Sequence, residues 1–546
     1  MAFDAIIVGA GLTGAAIARD CARRGLRVLL CEARDIGSGS TAVETGLLDI
    51  GVSSDRERRR IAEAELELLQ RIAGPLLTRL PLLWPLSATA AIGTRLRQRA
   101  QIARAQLPRA ARLGGYRIAL TPPELRAIEP ALAAAASSGA VLTHAWWTDV
   151  PHLAALLVGD AIEAGAELRT HARVSALLRD ESAVVGVTLV DDRGESIGSH
   201  AAPLVLNCAG AGSDDLAALA YGAVALTPIR CTLVRLARRC TGAAIALGGP
   251  SAGLRLVPVS HASVLGGWRE PGPGGGDTRP RSPSVVERML AIAARAVEGL
   301  AAEPVLEVAS AVQARAADDP PQEGVPRRFR LIDHRAQGVG GLFTIIGGAA
   351  LEHRWIAEQV TDALCRLLGR GGRCVTGERA LLGGDAAIDS GRLAAQFQIA
   401  ADVADRLVAR YGWRAHSALR SNEPGAGLAL VCRCQGISGA ELMHALRHEA
   451  PRTLSDLCRR TGLGSGPCGG QRCLREAARI AREAHCWSAS ELLSELLAAK
   501  QERLESARRA LPRLPLAALA LDQMAHRLSA NLDRFWRADR ARRGRA

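Results

Sequence analysis

The stretch Ala5-Ile6-Ile7-Val8-Gly9-Ala10-Gly11-Leu12-Thr13-Gly14 decides how this chain folds. Four apolar, β-prone residues run into a glycine turn, and AAIARDCARRG (Ala15 to Gly25) continues as a helix-like segment. A second apolar run, Arg27 to Cys31, ends at Glu32. Strand, glycine turn, helix, strand and acid arrive in the order of a dinucleotide-binding unit. Gly9 makes the tight turn, Gly11 lets the backbone approach a pyrophosphate, and Gly14 lets helix and strand pack closely. The helix start offers N–H groups and a positive dipole end to phosphates. Glu32 can accept ribose hydroxyls, which argues against a 2′-phosphate. The motif by itself does not choose between FAD and NAD.

The chain has 546 residues, 48% of them hydrophobic, enough for ~3–4 domain-sized units with a large core. The start does not read as a secretion signal, because Asp4 interrupts it and the first apolar run leads into the glycine turn. No stretch approaches the ~20 unbroken apolar residues of a spanning helix. These features predict a cytoplasmic protein, at most peripheral to the inner face of a membrane.

Net charge is +14, and Lys500 to Ala546 carry 12 basic and 5 acidic residues, half of the excess. A basic tail suits nucleic acid, anionic lipid or an acidic partner subunit, but taken alone it reads first as a solvated helix in an arginine-rich protein. Nothing else points to nucleic acid. Lys500 is the only lysine; every other cation of this class is arginine.

Further along, residues 55–72 and Leu153 to Gly165 read as helices, and residues 96–112 as a basic helical stretch. Thr121 before two prolines, with Glu124 three residues on, is a helix-capping signature. Ala183 to Val190 alternates as a strand. Leu226 to Leu236, Leu254 to Val259, Ser263 to Trp268 and Val305 to Ala316 also read as strands, and Glu270 to Pro283 as a Gly/Pro-rich loop. Ser390 to Tyr411 reads as one helix. Three glycine-bearing strand ends stand out: Gly9 to Gly14, Ala209 to Gly212, and Gly347-Gly348. A doubly wound sheet brings such ends to one edge.

The runs GAGLTGAAIARDCARRGLRVLLCEARDIGSGS, ALTPPELRAIEPAL, VLNCAG, GLFTIIGG and TDALCRLLG resemble the FAD-dependent glycerol-3-phosphate dehydrogenase family. The resemblance is greatest to the large subunits of the anaerobic, quinone-linked branch and covers essentially the whole chain. It implies an α/β protein: a Rossmann-like FAD-binding domain with an inserted antiparallel-sheet substrate domain, then a small Cys-rich helical domain and a helical tail. In residues, it implies an oxidoreductase over 1–370, with the substrate half roughly 75–150 and 220–320. A junction over 371–427, a 2Fe–2S domain over 428–482 and a basic tail over 483–546 follow. By the same resemblance Gly9, Gly11 and Gly14 hold the pyrophosphate, Glu32 the ribose and Val174 the adenine. Ala209 and Gly210 pass close to the cofactor, and Gly347 and Gly348 lie at the flavin ring.

The substrate side departs from the family pattern. Ser53, Gln313 and Ala349 stand where the resemblance leads one to expect an arginine, an arginine and a lysine. Arg327 and Arg354 remain, with Arg269 and Arg315 nearby in sequence. A dianionic phosphate is usually held by several cations. Three readings stay open: a different hydroxy or amino acid substrate, a rearranged pocket that still takes glycerol 3-phosphate, or a non-catalytic electron relay. His353, between Glu352 and Arg354, is the candidate base, since an unperturbed histidine titrates near working pH. Helix capping by Glu352 and a surface His353 form the bland alternative.

Cys432, Cys434, Cys468 and Cys473 form C-x-C, 33 residues, then C-x₄-C. Four thiolates in two close pairs suit a 2Fe–2S cluster. Cys₄ also suits zinc, although a one-residue spacer is less usual there. The segment resembles the bacterioferritin-associated-ferredoxin-like module. A flavin beside a one-electron centre implies a small-molecule donor on one side. On the other it implies an electron-accepting partner subunit feeding a quinone chain.

Overall fold

A computed structural model describes residues 3–48, 56–86, 118–132, 139–247, 253–272, 283–317, 329–386, 388–420, 427–470 and 472–484. The opening strand Ala5–Val8 lies at the middle of a six-stranded sheet, between Val205–Asn207 and Val28–Cys31. Leu342–Ile346 and Glu167–Arg169 flank these, all parallel, and Arg330–Asp333 closes one edge antiparallel. The central strands are buried on both faces, as parallel strands are, and apolar apart from Asn207 and Thr344. Because Ala5–Val8, Val205–Asn207 and Leu342–Ile346 are parallel, Gly9, Ala209 and Gly347 all emerge at the same edge.

The helix Leu12–Arg23 packs beneath this sheet against the helices Val150–Glu163 and His353–Leu368. Its buried polar residues are paired: Arg19 with Asp160, and Arg24 with Asp20 at 2.7 Å. A second sheet of nine strands is antiparallel except where Ala244–Ala246 runs parallel to Thr78–Pro85. It takes Val305–Ala316, Leu226–Leu236, Ala262–Pro271 and Arg255–Val259 on one side, and Thr78–Pro85 and Ala140–Trp147 on the other. The strand Thr78–Pro85 is not legible from pattern, because Pro81 and Pro85 argue against a paired strand. Thr121 and Glu124 do cap the helix Pro122–Ile128, with Glu124 Oε2 accepting from the Thr121 N–H at 2.8 Å.

The single helix expected over Ser390 to Tyr411 is corrected: Ser390–Phe397 and Ala401–Tyr411 are separate helices. Gln398 adopts φ +52°, the left-handed region that ends a helix. With Ala415–Leu419 these helices bury their own core of Leu393, Val403, Leu407 and Tyr411. The cysteine-rich segment folds as a two-strand hairpin followed by the helices Gly439–His448, Leu454–Thr461 and Cys473–Glu483. The first two of these helices lie between the cysteine pairs. The basic stretch 96–112, the loop residues 273–282 and the tail from 485 lie outside the described residues. Among the described residues no helix is long and apolar enough to cross a membrane.

Candidate functional site

Two of the three opening glycines are required by packing. Gly9 has φ +108°, and a Cβ there would lie 2.4 Å from the Cys208 carbonyl oxygen. A Cβ on Gly14 would lie 1.9 Å from the Gly9 carbonyl oxygen. Gly11 is different: its Cβ would meet only the Thr41 hydroxyl, at 3.4 Å. Glycine at 11 therefore fits a group approaching from outside the protein, as a pyrophosphate would. The Thr41 hydroxyl accepts from the Leu12 N–H at 3.1 Å and so orders the helix start. Glu32 accepts from the Ala10 N–H at 2.8 Å and the Arg34 N–H at 2.9 Å. Burial raises its pKa while these two amides lower it. A carboxylate has about four acceptor positions, so two stay open to ribose hydroxyls.

At the sheet edge Gly11, Gly14, Gly210, Gly347, Gly348 and Gln313 line one cavity of about 110 Å³. Gly347 and Gly348 have φ +78° and +80°, which only glycine adopts freely. The glycine ends separated by more than 300 residues in sequence thus meet at one place, and the cradle fits a dinucleotide laid along it. Val174 is buried in a core with Val8 and Cys31 and is not one of the residues lining this cavity.

A network that sequence reading missed holds these strand ends. Asn207 donates to the Ser213 carbonyl at 2.7 Å and to the Thr344 hydroxyl at 3.1 Å. Thr344 in turn meets His334 Nε2 at 2.8 Å. Asn207, Thr344 and His334 are fully buried, and Asn207 and Thr344 meet from 137 residues apart in the chain.

Of the side chains expected to be catalytic, Glu352, His353 and Arg354 are buried and engaged within the protein. Glu352 is 4% exposed, takes a two-pronged ion pair from Arg58 at 2.7 and 2.8 Å, and accepts from the Ala349 N–H at 2.9 Å. His353 is also 4% exposed, and its Nδ1 meets the Ala350 carbonyl at 2.7 Å. Burial pushes its pKa down to about 4, far from that of an efficient base at neutral pH. Arg354 is held by Glu65 at 2.6 and 2.8 Å and by Glu358 at 2.8 Å. Its charge is spent on two carboxylates rather than on a substrate. Arg327, Ser53 and Lys500 lie outside the described residues. Gln313 and Ala349 do line the cavity.

The four cysteines of the small module meet in two pairs. Cys434 and Cys468 have their sulfurs 3.7 Å apart. Cys432 is drawn down to about 6 by Cys473, with the amides of Gln435, Gly464 and Cys434 adding to the effect. A Cβ on Gly466 would lie 2.4 Å from the Cys434 Cβ, so glycine is needed for the loops to close. Among the described residues no three His, Cys, Asp or Glu side chains surround a single metal ion. Four thiols in two pairs are a donor set of the kind that a two-iron centre or a zinc ion takes.

The module sits against the FAD-type sheet through Asp35 with Arg459 and Arg460, and through His171 with Asp456. A cleft of about 1430 Å³ runs between them. It is lined by Gly39 and Glu44 of the nucleotide side, Arg235 of the second sheet, and Arg433, Gly464 and Gly466 of the cysteine loops.

Residues 4–353 match the FAD dependent oxidoreductase family, and residues 374–492 match the C-terminal domain of alpha-glycerophosphate oxidase. One of the subunits of the anaerobic glycerol-3-phosphate dehydrogenase of Escherichia coli K12 is 31% identical over 92% of this chain and 92% of its own length. The corresponding protein of Haemophilus influenzae is 28% identical over 92% of this chain and 88% of its own. The fold is similar to that of a glycerol-3-phosphate dehydrogenase from Bacillus halodurans complexed with FAD, at TM-score 0.71 and 19% identity over 93% and 95% of the two chains. The second family match joins the helices after residue 374 and the cysteine module into one unit. Taken with the glycine cradle, these likenesses make the chain a member of the FAD-dependent oxidoreductases, a glycerol-3-phosphate dehydrogenase-like enzyme.

Proposed function

We propose that this chain oxidises a small hydroxy substrate at an FAD lying from Gly9–Gly14 to Gly347–Gly348, with glycerol 3-phosphate the first candidate. The observation that carries this is the meeting of Gly11, Gly14, Gly210, Gly347 and Gly348 on one cavity. The relatives' names supply the candidate substrate. When bound, the flavin takes a hydride from the substrate carbon. The chain's own residues do the rest. Gly11 and the helix start face the pyrophosphate, and Glu32 and the backbone near Val174 the adenosine. Ala209 and Gly210 border the middle of the cofactor. Gly347 and Gly348 let backbone amides reach the ring, and the strand Val305–Ala316 covers the substrate face.

Cys432, Cys434, Cys468 and Cys473 would hold a 2Fe–2S cluster, which would carry electrons one at a time. An electron-accepting partner subunit, and beyond it a quinone chain at the inner face of a membrane, would take the electrons onward. The relatives are named as subunits, which supports such a partner. The paired thiols support the cluster. A second reading, a hydroxy acid or amino acid in place of glycerol 3-phosphate, is favoured by Gln313 and Ala349 on the cavity wall.

The test is anaerobic reduction of the purified, FAD-loaded chain, with iron and sulfide analysis. Bleaching of the flavin band by glycerol 3-phosphate supports the first reading, and bleaching only by lactate or glycine supports the second. Absence of iron after anaerobic purification removes the relay.

A further inference from the structure

We infer that Gln313, held by Glu44, selects the substrate group beside the flavin, and that this group is an uncharged or cationic hydrogen-bond donor, a hydroxyl or an amine, rather than a phosphate or carboxylate. The inference rests on the flavin lying at Gly347–Gly348.

Gln313 is 3% exposed, on the strand Val305–Ala316, opposite Ile229. That strand packs against both the Ser40–Val43 turn and the Gly210–Gly212 turn, so it bridges the two walls of the cavity. Its Nε2 donates to Glu44 Oε1 at 2.8 Å. A carboxylate accepts and does not donate, so the amide nitrogen must face Glu44 and the amide oxygen must face away. That oxygen is sealed from solvent and has no hydrogen-bond partner. A buried acceptor without a donor is costly, and a ligand that brings one relieves the cost.

Charge points the same way. Among the described residues lining the cavity there is no arginine, lysine or histidine, and Glu44 is the one charged side chain. An anion there meets no cation among those residues, and the Gln313 oxygen offers it no proton. Arg235 and Arg239 line the larger cleft, which meets this cavity at Glu44 and Val150. A phosphate-bearing substrate therefore enters with its hydroxyl end toward Gln313 and its phosphate directed away from it. The same site takes an unphosphorylated alcohol or an amine equally well, because what it reads is the donor.

The experiment uses the full FAD-loaded chain with Gln313→Leu and Glu44→Gln. Three things are read: flavin content, the glycerol-induced change in the oxidised flavin spectrum, and anaerobic reduction by glycerol 3-phosphate. Gln313→Leu keeps its flavin, binds glycerol about tenfold more weakly, and shows KM raised about tenfold with kcat changed less, as loss of one buried hydrogen bond predicts. Glu44→Gln, which lets the amide turn either way, weakens glycerol in the same direction but less. Equal glycerol affinity in wild type and Gln313→Leu overturns the inference. So does loss of flavin in Gln313→Leu with KM unchanged, because the oxygen then serves the cofactor, and so does a wild type that glycerol does not perturb. A wild type that binds glycerol with the predicted difference but is reduced by no substrate sinks the proposed oxidation and leaves the inference standing.

Discussion

Arg460 and Asp35 stand 425 residues apart and form a two-pronged ion pair sealed from water, with Arg460 Nη1 donating to Asp35 Oδ2 at 3.0 Å and side chains 2% and 1% exposed. Arg459 adds a third bond to the same carboxylate at 2.8 Å. Asp35 follows Glu32 by three residues, so the cysteine module is anchored beside the Glu32 end of the glycine cradle. Removing one partner of a buried pair strands a charge and costs about 3–5 kcal/mol, while replacing both by apolar residues is often near neutral. Asp35→Ala is therefore expected to release the helix Leu454–Thr461 in urea well before the sheet unfolds. The double change Asp35→Leu with Arg460→Leu should recover most of the loss. Proteolysis within the helix Leu454–Thr461 along a urea series reads the release, and a wild-type curve for Asp35→Ala defeats the anchoring role.

The second anchor carries a pH signature. His171 is raised to about 9, chiefly by its hydrogen bond to Asp456 at 3.0 Å, with Asp192 contributing at 2.8 Å. Asp456 is correspondingly held down at about 2. A folded pKa above the unfolded value means that the folded state binds the extra proton. The contribution is fully present below about pH 6.5 and fades as pH rises through about 9. The Asp456 side fails only in strong acid, as pH falls through about 2. The urea midpoint of the module should fall between pH 6.5 and 9.5 in the wild type and fall less in His171→Gln. Parallel pH curves for the two proteins rule out the pair as the source.

Much of this was legible because the signals are local. GAGLTG, the strand before it and Glu32 lie within about 30 residues, and hydrophobic runs fix their order. Thr121 and Glu124 cap a helix just where their spacing indicates. What stayed hidden is pairing across the chain. Arg354 reads as a spare cation until Glu65, 289 residues away, is seen to hold it. Asn207 reads as a strand end until Thr344 meets it from 137 residues on. The break at Gln398 hides for the opposite reason: glutamine is a good helix former, and packing of two short helices overrides its propensity.

The glycines make separable predictions. Gly14→Ala drives a Cβ into backbone at 1.9 Å, and nothing flexible lies in the way to yield. It is expected to lose several kcal/mol and to purify as unfolded or aggregated protein. Gly11→Ala meets only the Thr41 hydroxyl at 3.4 Å, so the apoprotein should keep its wild-type unfolding midpoint. Its cost falls on the ligand: FAD content after gel filtration should drop while circular dichroism stays unchanged. Full flavin occupancy in Gly11→Ala contradicts the pyrophosphate assignment.

His353 supplies the sharpest separation of structure from chemistry. Its side chain is buried, its Nδ1 is engaged with the Ala350 carbonyl at 2.7 Å, and burial holds it near 4. A general base contributes about 10²–10⁴ to rate, so a catalytic His353 would lose that much on replacement. The geometry instead predicts turnover per bound FAD within about threefold of wild type for His353→Leu, at a stability cost of about 0.5–1.5 kcal/mol for the lost hydrogen bond. The pH dependence of stability moves the other way from that of His171. A folded pKa below the unfolded one means the unfolded chain takes up the proton, so stability is lost as pH falls from about 6.5 toward about 4. His152 and His444, each pushed down to about 3 by burial, add to the same acid lability. His353→Leu should flatten that part of the acid curve while leaving the pH profile of kcat/KM where it was. A hundredfold fall in turnover, or a profile that loses its acid limb, would return His353 to the reaction.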